Sequence, residues 1–196
     1  MRELNSIKEN SSYQIEIKNS KFICCLFKVR DKEEVTSLLN QVKNNYKDAT
    51  HYCYAYILEN TKKASDDGEP GGTAGMPILN VLHSNNLMNV LAVVVRYFGG
   101  IKLGAGGLVR AYSKSVNEAL NHNKIIRLKK GINVNIYFSY DKIKEIDYLL
   151  RNEIIIEKDY DQIIRYNLNV TNELLESIKN SLIKYYVIKD VYLESD

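Results

Sequence analysis

The rhythm of hydrophobic and polar positions changes several times along this 196-residue chain. Tyr13–Ile17 and Lys21–Val29 are rich in β-branched and aromatic residues around a short Lys-Asn-Ser turn, which predicts a hairpin. Asp31 then stands as an N-cap with Glu34 at the reciprocal capping position. Val35, Leu38, Leu39, Val42 and Tyr46 repeat at helical spacing and predict one apolar helix face. His51–Leu58 reads as a strand, Ala64–Gly72 as a loop, and Ala74–His83 as a short helix capped by Thr73. Met88–Phe98 is almost continuously apolar and predicts a central strand covered on both faces. Gly99–Gly107 is a second loop, and Leu108, Tyr112, Val116, Ala119 and Leu120 trace a helix down to about Asn123.

Lys124–Lys130 reads as an ordered basic connector, with Gly131 at a boundary. Beyond it the expected elements are a strand over Ile132–Tyr140 and a capped helix over Asp141–Arg151, with Ile143, Ile146 and Leu150 inward. Two strands, Glu153–Lys158 and Gln162–Val170, follow around an Asp159-Tyr160-Asp161 turn. A helix over Asn172–Ile183 and a strand over Tyr186–Leu193 complete a βαββαβ order, the split-βαβ or ferredoxin-like pattern. The chain therefore reads as α+β in two domains, residues 1–130 and 131–196.

Composition sharpens this division. Nine of the ten glycines and both prolines lie between Gly68 and Gly107, so unusual backbone is confined to one window. The net charge of +3 conceals about +7 over residues 1–130 and −4 over 131–196. A mildly basic first part suits an anionic partner but falls short of the dense basic stripe of a dedicated nucleic-acid binder. The longest apolar run, Val90–Val95, is far below the roughly 20 residues of a membrane span. Met1–Asn10 is too polar for a secretory signal. Cys24, Cys25 and Cys53 form no CxxC pair and no disulfide framework, which fits a reducing cytoplasm.

Candidate chemistry lies in the two glycine-rich loops. The first, Ser65 to Gly75, places Asp66, Asp67 and Glu69 before Gly71-Gly72-Thr73 and a helix start. Such a loop can offer backbone N–H groups to an anion or carboxylates to a metal. It can equally be an acidic turn whose carboxylates cap neighbouring N–H groups, and the spacing favours that second reading. The other loop runs from Arg96-Tyr97-Phe98-Gly99-Gly100 through Lys102 and Gly104 to Gly106-Gly107, and ends at Arg110. Strand, glycine turn and helix start, with three cations, suit a phosphate, although neither a Walker A loop nor a GxGxxG fingerprint is present. Close helix–strand packing is the alternative use of the same glycines.

His51 and Cys53 share a strand face, but no third orienting group is evident, and two ligands are too few for zinc. Cys53 is read as a small apolar core residue. Cys24 and Cys25 point to opposite faces, and His83 and His122 fall near helix ends. No catalytic residue, metal or cofactor is assigned.

Taken together, Ser20-Lys21-Phe22-Ile23, His51 to Tyr56, Ser65 to Pro70, Gly72 to Gly75, Pro77-Ile78-Leu79 and the long run Val95 to Tyr112 resemble the IMPACT/YigZ family. Ala64 and Met76 depart from the resemblance, removing two cations often found beside the acidic loop. The resemblance implies a first domain with the fold of the second domain of small-subunit ribosomal protein five. It implies a second domain like the ferredoxin-like domains of elongation factor G. Eukaryotic members regulate translation with the help of a further N-terminal domain, so that role does not carry over intact.

The expectation is a cytoplasmic binding protein linked to translation or its regulation through RNA, the ribosome or another anionic partner. It would contact RNA, the ribosome or a protein of the translation machinery through Asp66, Asp67, Glu69, Gly72, Thr73, Arg96, Tyr97, Gly99, Gly100, Lys102, Gly104, Gly106, Gly107 and Arg110. An enzyme acting on a nucleotide or small phosphorylated substrate is the alternative.

Overall fold

A computed structural model describes residues 4–181 and 184–195, and the chain divides into two compact units, 1–127 and 128–196. In the first unit a five-stranded antiparallel sheet has the order β2-β3-β6-β4-β5. Its strands are β2 (Ser11–Ile17), β3 (Ser20–Lys28), β4 (His51–Ile57), β5 (Lys62–Ser65) and β6 (Val90–Tyr97). A further short strand, β1, spans Leu4–Ile7, inside the N-terminal stretch read from sequence only as polar and charged, and its Ile7 is fully buried.

Helix α1 (Lys32–Asn45) covers one face of the sheet, and α2 (Gly75–Ser84) and α3 (Ala105–Asn121) cover the other. The unbroken apolar run of β6 follows directly. Val90, Ala92 and Val94 face α2 and α3, while Leu91, Val93 and Val95 face α1, and all six are fully buried. The predicted hairpin is present, its two-residue turn made by Lys18 and Asn19, both at positive φ, as a type I′ turn requires. Val35 and Val42 of the predicted α1 face are buried.

The capping expectations need correction. Asp31 Oδ1 does accept the N–H of Glu34 (2.8 Å), but the Glu34 carboxylate reaches past Asp31 to the N–H of Arg30 (2.7 Å). Thr73 does not cap α2, because its hydroxyl donates to the Pro70 carbonyl instead. Part of the predicted loop Ala64–Gly72 is strand β5. Gly106 and Gly107, expected in a loop, lie in the first turn of α3.

The basic connector is also a strand. Ile125–Phe138 forms one continuous 14-residue strand, β7. The second unit continues with a 3-10 turn at Tyr140–Lys142 and α4 (Ile143–Leu149). The remaining elements are β8 (Ile155–Tyr160), β9 (Ile164–Val170), α5 (Asn172–Asn180) and β10 (Lys184–Ser195). Asp159 and Tyr160 belong to β8, so the turn falls after them. The last two residues of the expected helix, Leu182 and Ile183, lie outside the described residues, as do Met1, Arg2 and Glu3. Among these strands the order is β10-β7-β9-β8, and Val134, Ile136, Ile146, Tyr166, Leu168 and Ile178 are among the core residues.

Candidate functional site

The end of the α2–α3 face of the first sheet gathers the chemistry. Pairing places Arg96 of β6 opposite Phe22 of β3 on one side and His51 of β4 on the other. These three side chains form a row where the sheet stops being purely apolar. The acidic loop closes over the row from one side, and the second glycine loop and the start of α3 close over it from another.

Asp66 is the residue that shapes the acidic loop. Its Oδ1 accepts the N–H groups of Ala74 (2.9 Å) and Gly75 (2.8 Å), and its Oδ2 accepts that of Gly72 (2.8 Å). It therefore caps α2 from a distance. Desolvation pushes its carboxyl up, but the N–H groups of Gly72, Gly75 and Ala74 outweigh this and hold it below the ordinary value. Asp67 Oδ2 accepts the N–H of Tyr52 (2.7 Å). These carboxylates are occupied by backbone donors, as the acidic-turn reading expects. Among the described residues, no cluster of three or more His, Cys, Asp or Glu could hold a metal ion.

Glu69 behaves differently, because it points inward and is buried. Its Oε1 pairs with Arg96 Nη1 and accepts the Tyr112 hydroxyl of α3 at 2.8 Å. The glutamate and arginine side chains are 4% and 6% exposed. Arg96 also lies over the rings of Phe22 (5.4 Å) and Phe98 (5.6 Å), and its Nε is buried without a hydrogen-bond partner. His51 Nδ1 donates to the Asp67 carbonyl (2.8 Å), which fixes the tautomer and leaves Nε2 3.9 Å from Glu69 Oε2.

The two loops converge on one cavity of about 390 Å³. Glu69 and Pro70 come from the first loop, Lys102 and Gly104 from the second, and His51 and Arg96 from the sheet. Gly104, at φ +70, takes the N-cap position of α3, and Ala105 beside it lines the cavity. The first turn of α3 contains no acidic side chain, and its N-cap makes no side-chain hydrogen bond, so its N–H groups and positive dipole end lack a cap from the helix itself.

Other residues of the expected site lie elsewhere. Asp66, Asp67, Gly72 and Thr73 belong to the acidic loop, and Gly106, Gly107 and Arg110 lie on the first turns of α3, away from the cavity walls. Tyr97 donates to the Lys47 carbonyl (3.0 Å). Gly99 is required by packing, because a Cβ there would sit 2.0 Å from the carbonyl carbon of Asn19 in the β2–β3 turn. His51, Phe98, Leu103 and Tyr112 were missed as site residues. The signal for Tyr112 was present, since a tyrosine on a helix's buried face needs a partner for its hydroxyl.

Cys53 is fully buried in the core. Its Sγ lies 2.9 Å from the Asp66 carbonyl oxygen and 3.3 Å from Tyr112 Oη, either of which can accept its S–H. Burial pushes the thiol up to about 12, against a lowering contribution from Tyr112, with Glu69, Asp67 and Asp66 adding to the rise. Iodoacetamide at pH 8 is expected to leave Cys53 unlabelled in the native protein and to label it in urea, as read by peptide mass spectrometry. Native labelling at a comparable rate would contradict this burial.

Residues 18–120 match the Impact N-terminal domain, which is more than half of the chain. The chain belongs to the IMPACT family. It is 42% identical to the IMPACT family member YvyE of Bacillus subtilis over 171 residues, 86% of this chain and 77% of the relative. It is 36% identical to the IMPACT family member YigZ of Escherichia coli, over 76% of each chain. Protein IMPACT of Danio rerio is 38% identical over 110 residues, but these make up only 33% of that longer protein. The crystal structure of a hypothetical protein superposes with a TM-score of 0.72 at 30% identity, covering 96% of this chain and 98% of that one. That likeness covers nearly the whole of this α+β chain.

Proposed function

We propose that this chain is an RNA-contacting protein of the translation apparatus, with the cavity of its first unit receiving a phosphate group. The observation that carries the reading is the convergence of both glycine-rich loops on one cavity. There Lys102, Arg96 and the start of α3 meet. The basic balance of residues 1–130 supports the same partner. Family membership supports the setting in translation, and three free cysteines suit the cytoplasm. For the second unit, the strand order β10-β7-β9-β8 supports a ferredoxin-like domain of the elongation factor G kind.

Fluorescence anisotropy with labelled ribosomal RNA fragments tests this reading. Binding is expected at low salt and weakens steeply as salt rises. Lys102→Ala is expected to reduce the salt slope by about one phosphate contact. Arg110→Ala, off the cavity wall, leaves that slope unchanged. Absence of binding at low salt, or a slope indifferent to Lys102→Ala, would overturn the reading.

An enzyme on a nucleotide or small phosphorylated substrate is the second reading, and His51 favours it. Its Nδ1–H is held by a backbone carbonyl, and its Nε2 stands in the cavity wall close to a carboxylate, an arrangement able to pass a proton. A thermal-shift screen of nucleotides with and without Mg²⁺ decides the matter. No shift with any nucleotide counts against the enzyme.

A further inference from the structure

Phe98, the residue after β6, is an apolar ring kept half exposed (47%) by a backbone held firmly in place. Its own N–H donates to Thr50 Oγ1 (3.0 Å), and the N–H of Gly99 donates to Ser20 Oγ (3.1 Å). The close approach of Gly99 to the Asn19 turn fixes the loop from below. The Arg96 guanidinium lies over the ring, 5.6 Å from its centroid.

Phe98 also borders two cavities. One is the candidate phosphate site. The other, of about 330 Å³, is lined by Gln14, Asn19, Lys21, Ile23 and Tyr97 together with Phe98. The first cavity offers Lys102 to an anion, beside the Arg96–Glu69 pair, and the second offers Lys21. Gln14 and Asn19 add amide groups that both donate and accept hydrogen bonds, as the edge of an unpaired base requires. A rigid aromatic platform with cations on both sides is how single strands are held, with bases stacking while the backbone follows positive charge.

We propose that Phe98 stacks against one base of a single-stranded RNA, and that the two cavities take the nucleotides on either side of it. The proposal rests on the reading of the first cavity as a phosphate site. It adds that the RNA is unpaired and that a base, as well as a phosphate, is bound. A duplex is excluded from this mode because its bases are stacked on each other.

The test compares the full chain with Phe98→Ala, Phe98→Leu and Phe98→Trp, using a labelled RNA hexamer, the same hexamer in a duplex, and an abasic hexamer. Thermal midpoints confirm that each variant is folded. The single strand is expected to bind wild type at least tenfold more tightly than the duplex. Phe98→Ala weakens single-strand binding about tenfold, in the range seen when a stacking ring is removed. Phe98→Leu, which keeps apolar area without a π face, falls similarly, and Phe98→Trp retains affinity. The abasic strand binds wild type and Phe98→Ala equally. Single-strand affinity unchanged in Phe98→Ala and Phe98→Leu, or duplex binding as tight as single-strand binding, overturns the stacking proposal while leaving the phosphate reading intact. If no RNA of any kind binds at low salt, the phosphate reading itself fails.

Discussion

Glu69→Ala is expected to destabilise the first unit by about 3–5 kcal/mol, the cost of removing one partner from a buried ion pair. The carboxylate is 4% exposed and accepts from both Arg96 and Tyr112. Its removal leaves the arginine charge buried, with its Nε already lacking a partner, and strips the Tyr112 hydroxyl of its acceptor. Tyr112 is held in its neutral form first by burial and then by Cys53 and Glu69, so it cannot supply the missing negative charge. Glu69→Gln keeps a neutral acceptor for both donors and should cost about half as much. Urea midpoints measure each variant. The decisive comparison is Glu69→Ala with Arg96→Met in one chain. Replacing both charges by apolar groups removes the desolvation penalty and should recover most of the loss. If the double variant is no more stable than Glu69→Ala alone, the stranded charge is not the cause.

This pair was also the least legible part of the sequence. Arg96 reads there as one of three cations around a glycine turn, and Glu69 as one of three carboxylates in another loop. Only antiparallel pairing places Arg96 between Phe22 and His51, where the acidic loop can lay Glu69 across it. Periodicity carries no information about contacts 27 residues apart. It does report burial, which is why β6, the α1 face and the α3 face from Leu108 to Leu120 were all readable. It failed where polarity masked pairing. Lys62–Ser65 forms an edge strand whose exposed lysines resemble a loop. In β7, Ile126 is buried between exposed Ile125 and Arg127, but the basic residues around it suggested a connector. The density of glycine misled in a different way. By composition Gly106 and Gly107 belong with the loop, whereas the loop ends at Gly104, the N-cap of α3 at positive φ.

Asp66→Ala is expected to cost about 2–3 kcal/mol and to weaken anion binding, although Asp66 does not line the cavity. One carboxylate accepts three backbone N–H groups, from Gly72, Ala74 and Gly75, so its loss leaves the start of α2 uncapped and the loop carrying Glu69 without its anchor. The pH dependence separates this role from simple packing. The folded-state carboxyl lies below its ordinary value, so its contribution is fully present above that value, near pH 4. It disappears as pH falls through the folded value. The stability difference between wild type and Asp66→Ala should therefore be constant from pH 7 to about 5 and narrow steadily below 4. Asp66→Asn keeps one oxygen for Ala74 and Gly75 but turns an NH₂ group toward the N–H of Gly72. It should fall between the two proteins and show no such narrowing relative to Asp66→Ala. A wild-type advantage over Asp66→Ala that persists undiminished at pH 3 would show that the ionised carboxylate is not what holds the loop.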